Sequence, residues 1–107
     1  MNYISNGKYR KGLERLRELN GRLEELEGRA GKIPADERIE IDTSSEELTE
    51  KKKLILLLMS RFENAAPEKR GDLKSRIDRD LEEFGRGIEI LAEMIGKKEN
   101  GQLGEGE

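Results

Sequence analysis

Leu54-Ile55-Leu56-Leu57-Leu58-Met59 is the chain's run of six adjacent apolar residues, and Phe62, Ala65 and Ala66 extend it. The rest of the chain is strongly charged, so whatever it buries must be buried against this stretch. At about 100° per residue, Leu48, Leu54, Ile55, Leu58, Met59, Phe62, Ala65 and Ala66 fall within an arc of roughly 140°. That is wider than the stripe a helix needs for one neighbour, and it predicts the central helix of a bundle. Leu56 and Leu57 fall outside the arc, on a face that otherwise carries Glu50, Lys53, Ser60 and Asn64.

The remaining residues supply little else for a core, since only 33% of the 107 are hydrophobic. A core must then come from repeated helix seams. Valine is absent, there are two threonines, and aromatic residues make up 4%. The types that fill strands are therefore nearly missing, and an all-α fold is expected. Charged residues reach 42%, both signs are interspersed, and the net charge of -3 argues against a general polyanion binder. Many Glu, Lys and Arg, a single Gln and no Cys is also the balance that heat-adapted proteins favour.

Leu16, Leu19, Leu23, Leu26, Ala30 and Ile33 recur at spacings of three and four, with Tyr9 and Leu13 prolonging the seam backwards. This predicts a coiled-coil-like helix over about 7–32. Within it one heptad is nearly copied, Leu16 to Arg22 into Leu23 to Arg29, placing Gly21 and Gly28 far from the seam each time. Two or three heptads are marginal alone, so this helix must dock on others.

Pro34 ends it, because the residue before a proline is pushed out of the helical region. A connection of about ten residues is expected next. In it Arg38-Ile39-Glu40-Ile41-Asp42 alternates as a strand would but has no partner strand, and reads as an extended tether laying Ile39 or Ile41 on the bundle. From Pro34 through Glu50 stand seven acids and one base.

Thr43-Ser44-Ser45-Glu46-Glu47 fits a capping box, a hydroxyl followed three residues later by a carboxylate, so a second helix is expected over about 45–65. A third begins at Pro67 or Asp72; proline is favoured at the first helical position, and a turn reads equally well. It carries Leu73, Ile77, Leu81, Phe84, Ile88, Leu91 and Ile95, with Ile90, Ala92 and Met94 broadening the seam. Gly96 followed by Lys97 and Lys98 suggests its stop. The polar, glycine-rich residues 99–107 are expected to be disordered, leaving 1–98 as one bundle domain. The fold class expected is thus a three-helix antiparallel bundle.

Neither histidine nor cysteine occurs in the chain. This removes the usual general base, every Ser-His or Cys-His arrangement, disulfides and soft metal ligands. The carboxylate pairs Glu89/Glu93, Asp78/Glu82 and Glu46/Glu50 are interspersed with bases, which suits solvated faces. Gly85-Arg86-Gly87 neither follows a strand nor opens a helix, and no Gly-Lys-Ser/Thr is present to hold phosphates. No catalytic residue, cofactor, metal or small-molecule substrate is expected. The start of the chain lacks a basic and apolar leader, and no 18-residue apolar stretch spans a bilayer, so a cytoplasmic location is expected.

Surfaces remain. Lys51, Lys52 and Lys53 form the strongest basic feature, but adjacent residues on a helix point three ways and aromatic stacking partners are lacking, which leaves nucleic acid a weak alternative. Leu56 and Leu57, flanked by Glu50 and Lys53, point to a protein partner, most simply a second copy in a homodimer. A small acidic helical chain also fits an export or assembly chaperone that binds a partner helix. The competing expectation is that the two leucines lie beneath the tether or beneath the segment around Tyr3 and Ile4.

Overall fold

The computed structural model describes the backbone from Lys8 to Glu105 and side chains from Arg10 to Gly101. Three helices make up most of this span: α1 (Lys8–Ala30), α2 (Ile39–Asn64) and α3 (Pro67–Glu105), with a 3-10 turn at Ala35–Glu37. No strand occurs among the described residues. Gly12 of α1 lies beside Met59 and Leu81, Leu19 beside Gly85, and Arg29 pairs with Glu99. So α1 and α3 run parallel, with α2 antiparallel to both. The bundle measures 60 × 19 × 17 Å, its long axis matching the length of α3 at about 1.5 Å per residue.

The seams read from spacing are the core. Leu16, Leu19, Leu23, Leu26, Ala30 and Ile33 are all buried from the α1 side, as are Ile77, Leu81, Phe84, Ile88, Leu91 and Ile95 from α3. From α2 come Ile41, Leu48, Ile55 and Phe62, spaced seven apart, together with Leu58 and Met59. Leu13 packs against this core at its edge, while the side chain of Tyr9 and all of Tyr3 and Ile4 lie outside the described residues.

Residues 39–42 are helix rather than tether, with Arg38 just before its first residue, and α2 starts six residues before Ser45. Ile41 continues the heptad of Leu48, Ile55 and Phe62, and burying it requires helical phase from the start. Thr43 and Ser45 of the expected cap, and Thr49 beyond it, bond elsewhere. Thr43 Oγ1 donates to the Ile39 carbonyl at 3.1 Å, Thr49 Oγ1 to that of Ser45 at 3.1 Å, and Ser45 to the Glu27 carboxylate. Such back-bonding four residues earlier is the helix-interior use of the same side chains. Arg38 holds the connection closed instead, its guanidinium donating to the Ile33 carbonyl at 2.9 Å and to Asp42 at 3.2 Å. The same guanidinium lies 3.5 Å from the Ala30 and Gly31 carbonyls, where a cation suits the end of α1.

The α2–α3 connection is Ala65 and Ala66, with Pro67 as the first residue of α3. At the far end α3 does not stop at Gly96. No described glycine has the positive φ of a helix-ending residue, and α3 continues past Glu99, through part of the stretch expected to be disordered, to Glu105. Arg29 grips Glu99 through two hydrogen bonds, of 2.7 and 3.2 Å, which ties this extension to α1.

Nothing lies within 4 Å of the Cβ that a substitution would add at Gly21 or Gly28. The double substitution Gly21→Ala, Gly28→Ala is expected to stabilise the bundle by about 1–2 kcal/mol, because each glycine costs about 0.5–1 kcal/mol in a helix. The check is a rise in thermal midpoint of several degrees with unchanged helicity. Gly87 differs, since its added Cβ would lie 2.6 Å from Leu48 Cδ2. There the glycine admits a neighbouring side chain.

Candidate functional site

The stripe Ile41, Leu48, Ile55 and Phe62 sets the inward direction of α2, so Leu56 stands about 100° to one side and Leu57 nearly opposite the core. Their exposures are 46% and 49%, which leaves two adjacent leucines on the outer face among Glu46, Glu50, Lys53, Ser60 and Asn64. No described segment covers them. Glu50 and Lys53 border the pair and meet each other at 3.3 Å on the same helix, with 74% and 66% of their side chains exposed. A pair so exposed contributes only about 0–1 kcal/mol, so its partners can be exchanged cheaply.

Two further large apolar residues are exposed, Ile39 at 66% and Ile90 at 55%. Ile39 was expected as one of two candidates for burial, and the helical phase of α2 chooses Ile41 instead. Ile90 was expected to broaden the α3 seam, but only Ala92 and Met94 pack at its edge.

The three adjacent lysines part company as helix geometry requires. Lys51 Nζ reaches α3, lying 2.8 Å from Glu83 Oε1 and 3.6 Å from Asp80 Oδ1. Lys52 Nζ donates to Asn20 Oδ1 of α1 at 3.0 Å, and Lys53 turns to Glu50. They make no common surface, which speaks against polyanion contact through Lys51, Lys52 and Lys53. Lys74 is likewise engaged by Asp78 at 2.6 Å, and the Arg70 guanidinium sits 5.9 Å from the centre of the Phe62 ring.

The Lys51 cluster contains a residue that spacing alone did not single out. Asp80 is 7% exposed, and its Oδ2 is buried without a hydrogen-bond partner. The signal was present in the seven-residue series Leu73, Asp80, Gly87 and Met94, which runs beside the α3 seam with two non-apolar members in its middle. Lys51 is held above its usual pKa chiefly by the hydrogen bond to Glu83, with burial opposing and Asp80 reinforcing the shift.

Two open grooves are lined by described residues. One of about 350 Å³ is lined by Glu27, Arg38, Asp42 and Ser45 over Ile41, Leu91 and Ile95, and its polar groups are bonded to one another or to the end of α1. A broader one between α1 and α3 mixes Lys11, Arg15 and Lys74 with Asp78 and Glu82. Among the described residues no group of three or more His, Cys, Asp or Glu converges to hold a metal ion. No described helix is long and apolar enough to cross a membrane.

Two carboxylates are held below the usual range, Glu83 chiefly by the hydrogen bond from Lys51 and Glu99 chiefly by that from Arg29. A lowered folded-state pKa adds stability that is present above the ordinary carboxylate range and lost as pH falls through the lowered values. The thermal midpoint is therefore expected to fall on acidification below about pH 4, and Glu99→Gln to remove part of that dependence.

No protein-family model matches the chain, and neither the curated proteins nor the solved structures contain a match to it.

Proposed function

We propose that this chain is a non-enzymatic helical interaction module that self-associates through the outer face of α2. Leu56 and Leu57 form the centre of that face, and Glu50 and Lys53 its border. The observation that carries the reading is the adjacency of two half-exposed leucines outside the buried stripe of α2. The lack of His and Cys supports a role without catalysis. Fully burying a leucine is worth roughly 1.5–3 kcal/mol, and each of these is already about half covered, so two copies of the pair would contribute about half of the full amount. Area alone does not set affinity, and side chains of α1 next to the patch would have to add to the contact. An antiparallel two-fold arrangement centred on Leu56 and Leu57 sets Lys53 of one copy at the level of Ser60 of the other, whereas a parallel one stacks the acidic first half of α2 on itself.

Light scattering over a wide concentration range tests this. The native chain is expected to rise from the mass of one chain towards two. The Leu56→Glu, Leu57→Glu variant is expected to stay at one, with unchanged helicity. A native chain that remains at one throughout rejects self-association, and equal dimerisation of the variant rejects this face.

A further inference from the structure

A bundle of three helices can close in two ways, with α1 laid on one side of the α2–α3 hairpin or on the other. Both closures bury the same inward seams, so those seams discriminate poorly between them. What differs is the pair of flanks beside each seam, because closing the other way exchanges the neighbour that every flank meets.

Here the flanks of α3 carry different residues. Gly85 meets Leu19 and Arg15 of α1, while Gly87, on the other side of the helix, receives Leu48 of α2. Asp80 stands one heptad before Gly87 on the α2 side, and there Lys51 lies 3.6 Å from it and 2.8 Å from Glu83. We propose that the Lys51–Asp80–Glu83 cluster selects the handedness of the bundle, with Arg29–Glu99 marking the α1–α3 cleft in the same way.

In the opposite closure the flank bearing Lys51 faces α1, and the flank bearing Asp80 faces α1 from the other side, so the two groups occupy separate clefts. Asp80 would then be buried away from its cation, and Arg29 would be parted from Glu99. An uncompensated buried charge is far more costly than an apolar residue in its place, whereas replacing a whole buried pair by apolar residues is often neutral or better. That asymmetry is what a selector requires. It penalises the wrong arrangement without being needed for the right one.

The chain has no cysteine, so introduced pairs report the closure cleanly. By helical phase, Leu54→Cys with Arg76→Cys lies on the α2 and α3 flanks that face each other in the observed closure. Leu56→Cys with Asp78→Cys lies on the two that would face each other in the opposite one. A short bifunctional thiol reagent is applied to dilute protein, and the intramolecular product is read by mass. In the native background the first pair is expected to cross-link and the second to stay at background. In the Lys51→Met, Asp80→Leu background, with helicity retained, the second pair is expected to rise at least about tenfold. The charge-exchanged variant Lys51→Asp, Asp80→Lys is expected to return it to background. The proposal is overturned if the second pair stays at background in the apolar double variant. It is equally overturned if that variant loses its helicity, since the cluster would then be holding the fold up and not choosing between folds.

Discussion

Phe84→Ala is expected to remove most of the bundle's stability. Phe84 is fully buried at the middle of α3, where the seams of α1 and α2 both converge, and it is one of only two phenylalanines in the chain. Truncating a buried phenylalanine costs about 3–5 kcal/mol, the transfer of its ring to water plus the cavity left behind. A small domain has about 5–15 kcal/mol in all, and three slender seams cannot relax around a hole of that size. The thermal midpoint is expected to fall by more than about 12 °C, followed as loss of helical circular dichroism. A fall of only a few degrees would mean that the converging seams collapse onto the vacated space and that Phe84 is not the keystone its burial suggests.

Lys51→Met is expected to be the most damaging change at any partly exposed position. It leaves Asp80, whose side chain is 10% exposed, beside a thioether in place of an ammonium, and Glu83 loses its hydrogen bond as well. Removing one member of a fully buried pair costs about 3–5 kcal/mol; Lys51 keeps 28% of its side chain in water, so about 2 kcal/mol is the scale here. Adding Asp80→Leu to Lys51→Met should recover most of the loss, because the orphaned charge then disappears with its partner. Urea denaturation of the single and double variants measures both steps. A single variant as stable as the native chain would show that water already solvates Asp80.

The seam of α1 was legible because its apolar residues recur at helical spacing with no competing pattern, and all six that the spacing named are buried. The start of α2 was not, for two local reasons. Ile39 and Ile41 alternate with charged residues as strand residues do, and Thr43-Ser44-Ser45-Glu46-Glu47 has the chemistry of a helix start. Both signals are short-range, and the phase of Ile41 with Leu48, Ile55 and Phe62 overrides them once a partner surface is available. Gly96 misled in the same way. A glycine ends a helix when the chain must turn, and the Arg29–Glu99 contact beyond it depends on α1 lying alongside, which no local pattern reveals. Leu56 and Leu57 were legible as misplaced residues on a polar face, and the structure leaves them half exposed. Asp80 was hidden because one carboxylate beside a seam looks like any other until the α2 flank is placed against it.

The proposed contact through the outer face of α2 is tested most directly by a single nitroxide at Ser60→Cys, an exposed position on that face in a chain without other cysteines. Two labels can couple only across two copies. At concentrations where the native chain associates, an antiparallel pair meeting at Leu56 and Leu57 predicts one well-defined inter-spin distance, well short of the roughly 39 Å that α2 spans at about 1.5 Å per residue. No dipolar coupling at those concentrations, or a broad distribution reaching past the length of the helix, would contradict it.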